Sequence, residues 1–333
     1  MMNDSCSSTS FSSLEYSWKI PFGVIDTVIS LTAIIENTLA LTVILKYKEL
    51  YNVSNCILTS LIITDLCAGL SAAPLQAIQL LFDDLTRHCK IEEARRSIVA
   101  MLVGTSALTI ATISYDRYLH LTQLYNYDKY MTKRKAGVLI ILSWCIPVIL
   151  PVLRLKDTGN KENAYIIFFT TLMVLTFISL LVFYVMILSS LRQRATWRRR
   201  SLTLEQKQLR TFRTIMIIIT CFVVMGFPIT IAIIVKNYSE TFGLNAKTNG
   251  RVYVVSLTLN LLNSAANPVI YYYSSPSIKK CAKRLLRLDH GNHRVSAYFD
   301  QSRLPTQKTQ PVEMEERVPI NNNEEPTESN TRL

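Results

Sequence analysis

The 333-residue chain is 49% apolar and only 18% charged, and it carries a net charge of +12. Two soluble domains are a poor match for that composition, because the apolar residues come in long blocks. Lys and Arg gather on one side of those blocks, which points to an anionic membrane face and not to nucleic acid.

Residues 1–19 are Ser-rich and lack the apolar core of a signal peptide, so the first apolar block is expected to act as the insertion signal. A bilayer core about 30 Å thick takes roughly 20 mostly apolar residues per helix. Seven such stretches follow, at residues 20–45, 57–81, 97–121, 136–153, 164–191, 211–235 and 252–273. Runs such as 215–219 and 229–235 are apolar all round, as lipid demands and a soluble core helix does not. Alternate connections hold the bases, among them Lys133, Arg134, Lys135, Arg198, Arg199 and Arg200. The opposite connections hold Asp83, Asp84, Glu92 and Glu93. Cytoplasmic loops carry the excess of bases, so the N-terminus lies outside.

Beyond the last span, residues 275–288 set Ile278, Cys281, Ala282, Leu285 and Leu286 among bases at helical spacing. That is the pattern of a short amphipathic helix on the inner membrane surface. Residues 289–333 shift to Asn, Glu, Pro, Ser and Thr and are expected to form a disordered cytoplasmic tail. The expected fold is all-α: a seven-transmembrane helix bundle over residues 20–288, between an extracellular segment 1–19 and that tail.

The seven cysteines do not form a disulfide framework. Cys56, Cys67, Cys145 and Cys221 fall in or beside spans and are expected to pack there. Cys6 and Cys89 face the oxidising side and form a candidate pair, with free thiols as the alternative. Cys281 is a candidate for palmitoylation or a plain surface thiol. Asn3 and Asn237 open N-x-S/T sequons on the outer side and are candidate glycosylation sites.

Charged residues inside the membrane are costly, so Asp26, Glu36, Asp65, Asp116 and Arg117 are candidates for function. Asp26 lies within two turns of the outer surface and is expected to reach water. Asn263 and Asn267 share a face of the seventh span. Asp65, Ser106, Asn263 and Asn267 are expected to form a polar core, either a cation site or a plain network between helices.

These residues carry a resemblance. Asp116-Arg117-Tyr118 at the inner end of the third span resembles the DRY motif of rhodopsin-like receptors, and Asn267-Pro268-Val269-Ile270-Tyr271 resembles their NPxxY motif. Asn37, Leu61 through Asp65, Trp144, Tyr184 and Pro228 are similar to the residues that mark the other five helices. The resemblance implies a plasma-membrane, multi-pass, non-enzymatic receptor that works on a heterotrimeric G protein, with arrestin and receptor kinases as further partners. It implies that Arg117 pairs with Asp116 at rest and moves toward Tyr184, Tyr271 and the G protein on activation. It also implies that Asp65, Ser106, Asn263 and Asn267 hold a sodium ion, the one candidate cofactor. Gly226 stands where an aromatic is usual, Thr176 replaces the usual fifth-helix proline, and Gln208 replaces the acid that often holds the arginine. The usual cysteine bridge to the second outer loop is missing.

Val99 stands where amine receptors carry an Asp, and the seventh span has no Lys for retinal, so the expected ligand is an unidentified extracellular peptide, nucleoside or lipid. Glu36-Asn37, the missing proline and the short outer loop resemble the melanocortin, adenosine, cannabinoid and lysophospholipid receptors. Glu92 and Glu93 fall near the acidic ligand contacts of melanocortin receptors, although Arg95 and Arg96 follow at once and an exposed, mixed-charge helix start is the plainer expectation. Thr331 and Leu333 resemble the end of a class I PDZ ligand. A transporter or channel is the alternative class, and the interrupted, repeated halves of transporters are absent from the sequence.

Overall fold

The computed structural model describes Phe11 and residues 14–82, 89–123, 126–155, 161–196, 202–237 and 245–286. Among them there is no strand. The membrane-length helices are α1 (Tyr16–Lys46), α2 (Val53–Leu81), α3 (Cys89–Thr122), α4 (Lys133–Leu155), α5 (Lys161–Thr196), α6 (Leu202–Asn237) and α7 (Ala246–Ser274). The shorter α8 (Pro276–Leu285) follows. They overrun the apolar blocks, α3 beginning at Cys89 and α6 at Leu202, because a helix satisfies its own backbone and continues into the interface. Six helices are long and apolar enough to cross a membrane by composition alone. The exception is α7, whose 29 residues include Asn260, Asn263 and Asn267.

Large apolar side chains point outward, as Ile20, Val24, Val28, Leu31 and Ile35 do on α1. That spacing follows one helix face, here turned to lipid, while the polar residues turn inward. Inside lipid, packing and interhelical hydrogen bonds hold helices together. Asn37 donates to the Ser264 carbonyl at 3.2 Å, tying α1 to α7. Trp144 Nε1 donates to Ser60 Oγ at 2.9 Å, tying α4 to α2. Each helix packs on its sequence neighbour from α3 to α7, α1 closes the ring between α2 and α7, and α3 also touches α6. The third helix is thus the shared wall, which places Asp116 and Arg117 among several elements.

Sequence order alone did not reveal the π-helical turn Ala68–Ala72 in α2. Pro74 has no N–H to donate back to Leu70, and a widened turn absorbs that break. Gly69 sits in this turn, where an added Cβ would meet Ala33 and Ile34 side chains at 3.2 Å. The Gly69 carbonyl accepts from Ser30 Oγ at 2.8 Å.

The amphipathic α8 forms as expected. Ser275 caps it, its Oγ accepting from Ile278 N at 3.4 Å, and Pro276 opens it. Cys281, however, is 1% exposed among Ile278 and Ala282 on the face packed against the bundle. Burial first, then the nearby Glu49 charge, raises its thiol above the usual range. The burial corrects the plain surface thiol, one of the two expectations for Cys281. Cys56 and Cys145 correct another: both are exposed at the outside of the bundle instead of packed within it.

Candidate functional site

At the inner end of α3, Asp116 is almost completely buried and held from several sides. Arg117 Nε lies 3.5 Å from its Oδ2. Ser54 Oγ, on the first turn of α2, donates to the same oxygen at 2.8 Å. Tyr127, on a one-turn helix Tyr127–Tyr130, donates its hydroxyl to Oδ1 at 2.5 Å. His120 stacks on the Tyr127 ring at 3.6 Å, with Nε2 3.2 Å from Ser54 Oγ. Burial, and then the bond to Asp116, push the Tyr127 phenol above its usual range, so it stays a donor.

A hydrogen bond to a charged group contributes about 1.5–3 kcal/mol. Two such bonds satisfy the Asp116 carboxylate without Arg117. The arginine, one-fifth exposed and held at longer range, can leave without stranding a buried charge. That is the physical requirement for a two-position switch. Ser54 and Tyr127 escaped sequence reasoning, being 62 and 11 residues from Asp116. His120 did carry a signal, since four residues past Asp116 is the same helix face.

Tyr118 flanks this pair, packing with Leu121, Ile187 and Met216 and lying 6.3 Å from the Phe183 ring. Tyr184 is half-buried in the main apolar core. Tyr271 is buried, and its hydroxyl has no partner among the described residues. With Pro268, Val43, Tyr272 and Ile278 it lines a cavity of about 260 Å³ that Glu36 also borders. The structure thus joins Asp116 to Arg117 but leaves the Tyr271 hydroxyl unbonded.

Midway through the bundle, Asp65 is fully buried, and Asn267 Nδ2 donates to its Oδ2 at 2.8 Å. Asp65 Oδ1, Ser106 Oγ and Asn263 Oδ1 are buried without hydrogen-bond partners among the described residues. All three residues line one small cavity of about 20 Å³, with Val99 and Phe222, room for about one water-sized species. Unpartnered oxygens around a single carboxylate suit a small hard cation, so the residues fit sodium. Asn267 does not line this cavity, yet its Nδ2 holds Asp65 in place and its Oδ1 is likewise without a partner among the described residues.

The outer half corrects two expectations. Asp26 does not reach water: it is 0% exposed and accepts from Gln76 Nε2 and Thr258 Oγ1, both at 2.8 Å. Its two donors come from α2 and α7, which cover it. Nor is the start of α3 an exposed mixed-charge turn. Glu92 is buried and takes Arg95 Nη2 at 2.8 Å and Arg96 Nε at 2.6 Å, while Arg95 is fully buried. Of Glu92, Glu93, Arg95 and Arg96, Glu93 alone is exposed, as expected. Asn3, Cys6, Thr331 and Leu333 lie outside the described residues, as do the side chains of Cys89, Asn237 and Gln208.

A helical bundle with an acid–arginine pair at one end and a polar cavity at mid-depth defines a class of membrane receptor. The family model for 7 transmembrane receptors of the rhodopsin family matches residues 36–271, and the chain belongs to that family. The histamine H2 receptor of Rattus norvegicus is 24% identical over 338 residues, covering 91% of this chain and 90% of that protein. The melatonin receptor type 1C of Xenopus laevis is 24% identical over 276 residues, or 76% and 64% of the two chains. Trace amine-associated receptor 9 of Rattus norvegicus is 23% identical over 294 residues, or 77% and 84%. These names differ from the melanocortin, adenosine, cannabinoid and lysophospholipid grouping that the sequence features suggested. What stands is a multi-pass membrane receptor of the G-protein-coupled class.

Proposed function

We propose that the chain is a plasma-membrane receptor that turns binding of an extracellular ligand into guanine-nucleotide exchange on a heterotrimeric G protein. The observation that carries this is the Asp116 cage, in which Ser54 and Tyr127 satisfy the carboxylate and leave Arg117 able to move. A ligand outside and a G protein inside would each bias that element. Arrestin and receptor kinases follow as further partners, and a PDZ domain at Thr331 and Leu333 as another. Cys6–Cys89 pairing and glycans at Asn3 or Asn237 belong to the same proposal.

Asp65, Ser106 and Asn263 would hold sodium at mid-bundle, with Asn267 fixing Asp65. The ion would supply positive charge to the one fully buried carboxylate there and favour the resting arrangement.

The ligand is a peptide, nucleoside or lipid in this reading. Val99 offers an amine no carboxylate, and the two buried outer acids are already engaged, Asp26 by Gln76 and Thr258 and Glu92 by Arg95 and Arg96. The histamine and trace amine receptors among the relatives favour an amine as the second reading. Cells expressing the chain with a promiscuous Gα, exposed in parallel to amines, peptides, nucleosides and lipids, separate the two. A response confined to amines would overturn the first.

A further inference from the structure

Phe11 and Leu14 precede the first helix, yet they are 1% and 5% exposed and belong to the main apolar core. The Phe11 ring lies over the Arg95 guanidinium, 4.9 Å from its carbon to the ring centroid, and 6.0 Å from the Tyr253 ring. Arg95 is itself 6.0 Å from the Tyr253 centroid. Glu92 clamps Arg95 through Nε and Nη2 at 3.0 and 2.8 Å, so the guanidinium is a fixed platform. Leu14 N donates to Phe11 O at 3.1 Å. Glu15 then meets Lys247 Nζ and Arg251 Nη2, both at 3.1 Å.

The segment therefore offers two chemical handles to the outer ends of α3 and α7: an aromatic ring in a cation–aromatic box, and a carboxylate between two bases. The contacts differ in strength. Lys247, Arg251 and Glu15 are each about half-exposed, and exposed ion pairs contribute little. The Phe11 contact is dry, where a cation over a ring counts for most.

We infer that the outer mouth between α3 and α7 is a recognition site for a peptide presenting an aromatic ring and a nearby carboxylate, filled at rest by the chain's own Phe11 and Glu15. An external ligand of the same chemistry, an acidic aromatic peptide, enters by exchange with this built-in occupant. The site deepens the receptor reading by naming the ligand class, but its occupancy is a binding statement that holds apart from signalling.

A fluorescent peptide of residues 9–17 tests it, titrated by anisotropy against the full-length chain in lipid nanodiscs. A tethered segment competes at an effective concentration on the order of millimolar. The Phe11→Ala/Glu15→Gln chain is therefore expected to bind the peptide about tenfold or more tighter than the unmodified chain. Peptides carrying either substitution are expected to bind that variant about tenfold more weakly than the parent peptide. Equal binding to both chains, or equal binding of all three peptides, overturns the inference.

If the variant misfolds, a photoreactive benzoylphenylalanine at position 11 of the otherwise natural chain gives the answer. It is expected to crosslink to α3 or α7, and excess free peptide is expected to suppress the crosslink. Crosslinks that excess peptide does not reduce overturn the inference. Saturable binding supports the site whether or not nucleotide exchange changes, because exchange is tested separately through Arg117.

Discussion

Tyr127 donates its hydroxyl to Oδ1 of Asp116 from an inner connection, while Ser54 serves the other oxygen from α2. These donors compete with Arg117 for the same carboxylate. Tyr127→Phe removes one and leaves Arg117 as the replacement partner, so the resting pair tightens. Agonist-free exchange in membranes is expected to fall about tenfold or more, the scale of about 1.5–3 kcal/mol for one bond to a charged group. An unchanged or raised rate at normal surface expression would contradict the competition.

Sodium bears on the middle of the bundle. Among the described residues, Asp65 Oδ1, Ser106 Oγ and Asn263 Oδ1 are buried and unpartnered around one cavity. Raising NaCl at constant ionic strength is expected to lower agonist-free exchange, Ser106→Ala to weaken that response and Asp65→Asn to erase it. The same salt response in all three chains would leave only a hydrogen-bond network.

The bundle was legible in sequence because lipid imposes long apolar blocks, and even α7 was recognisable through Asn267 and Pro268. Helix ends were not, since hydropathy reports the apolar length and not where hydrogen bonding stops. Asp116, Arg117 and Asp65 stood out by the cost of charge in lipid. Their partners did not, because nothing local marks Ser54 as facing Asp116, or Gln76 and Thr258 as covering Asp26 from 50 and 232 residues away. Phe11 carried no signal at all: a single aromatic in a Ser-rich segment reads as solvent-exposed until α3 and α7 supply its walls.

Acidity probes the Glu15 latch. The bond from Lys247 and the attraction of Lys247 and Arg251 hold its carboxyl below the ordinary value of 4.5. A lowered value means that the latch is fully present above pH 4.5 and is lost as pH falls through the lower value. Binding of the 9–17 peptide to the Phe11→Ala/Glu15→Gln chain is therefore expected to keep its Glu15 contribution, the margin over a Glu15→Gln peptide, from pH 8 to about 5, and to lose it only below the usual carboxylate range. Disappearance of that margin between pH 7 and 5 would show that another group governs the mouth.

Guanine-nucleotide exchange on purified G protein, driven by membranes containing matched surface amounts of the natural chain, Arg117→Ala and Asp116→Asn, tests the switch most directly. Arg117→Ala is expected to reduce exchange to the level of empty membranes, because the moving element is gone. Asp116→Asn is expected to raise agonist-free exchange several-fold, because a neutral amide no longer draws Arg117 back. Natural exchange from the Arg117→Ala chain, or no rise from Asp116→Asn, would contradict a receptor whose inner switch is this pair.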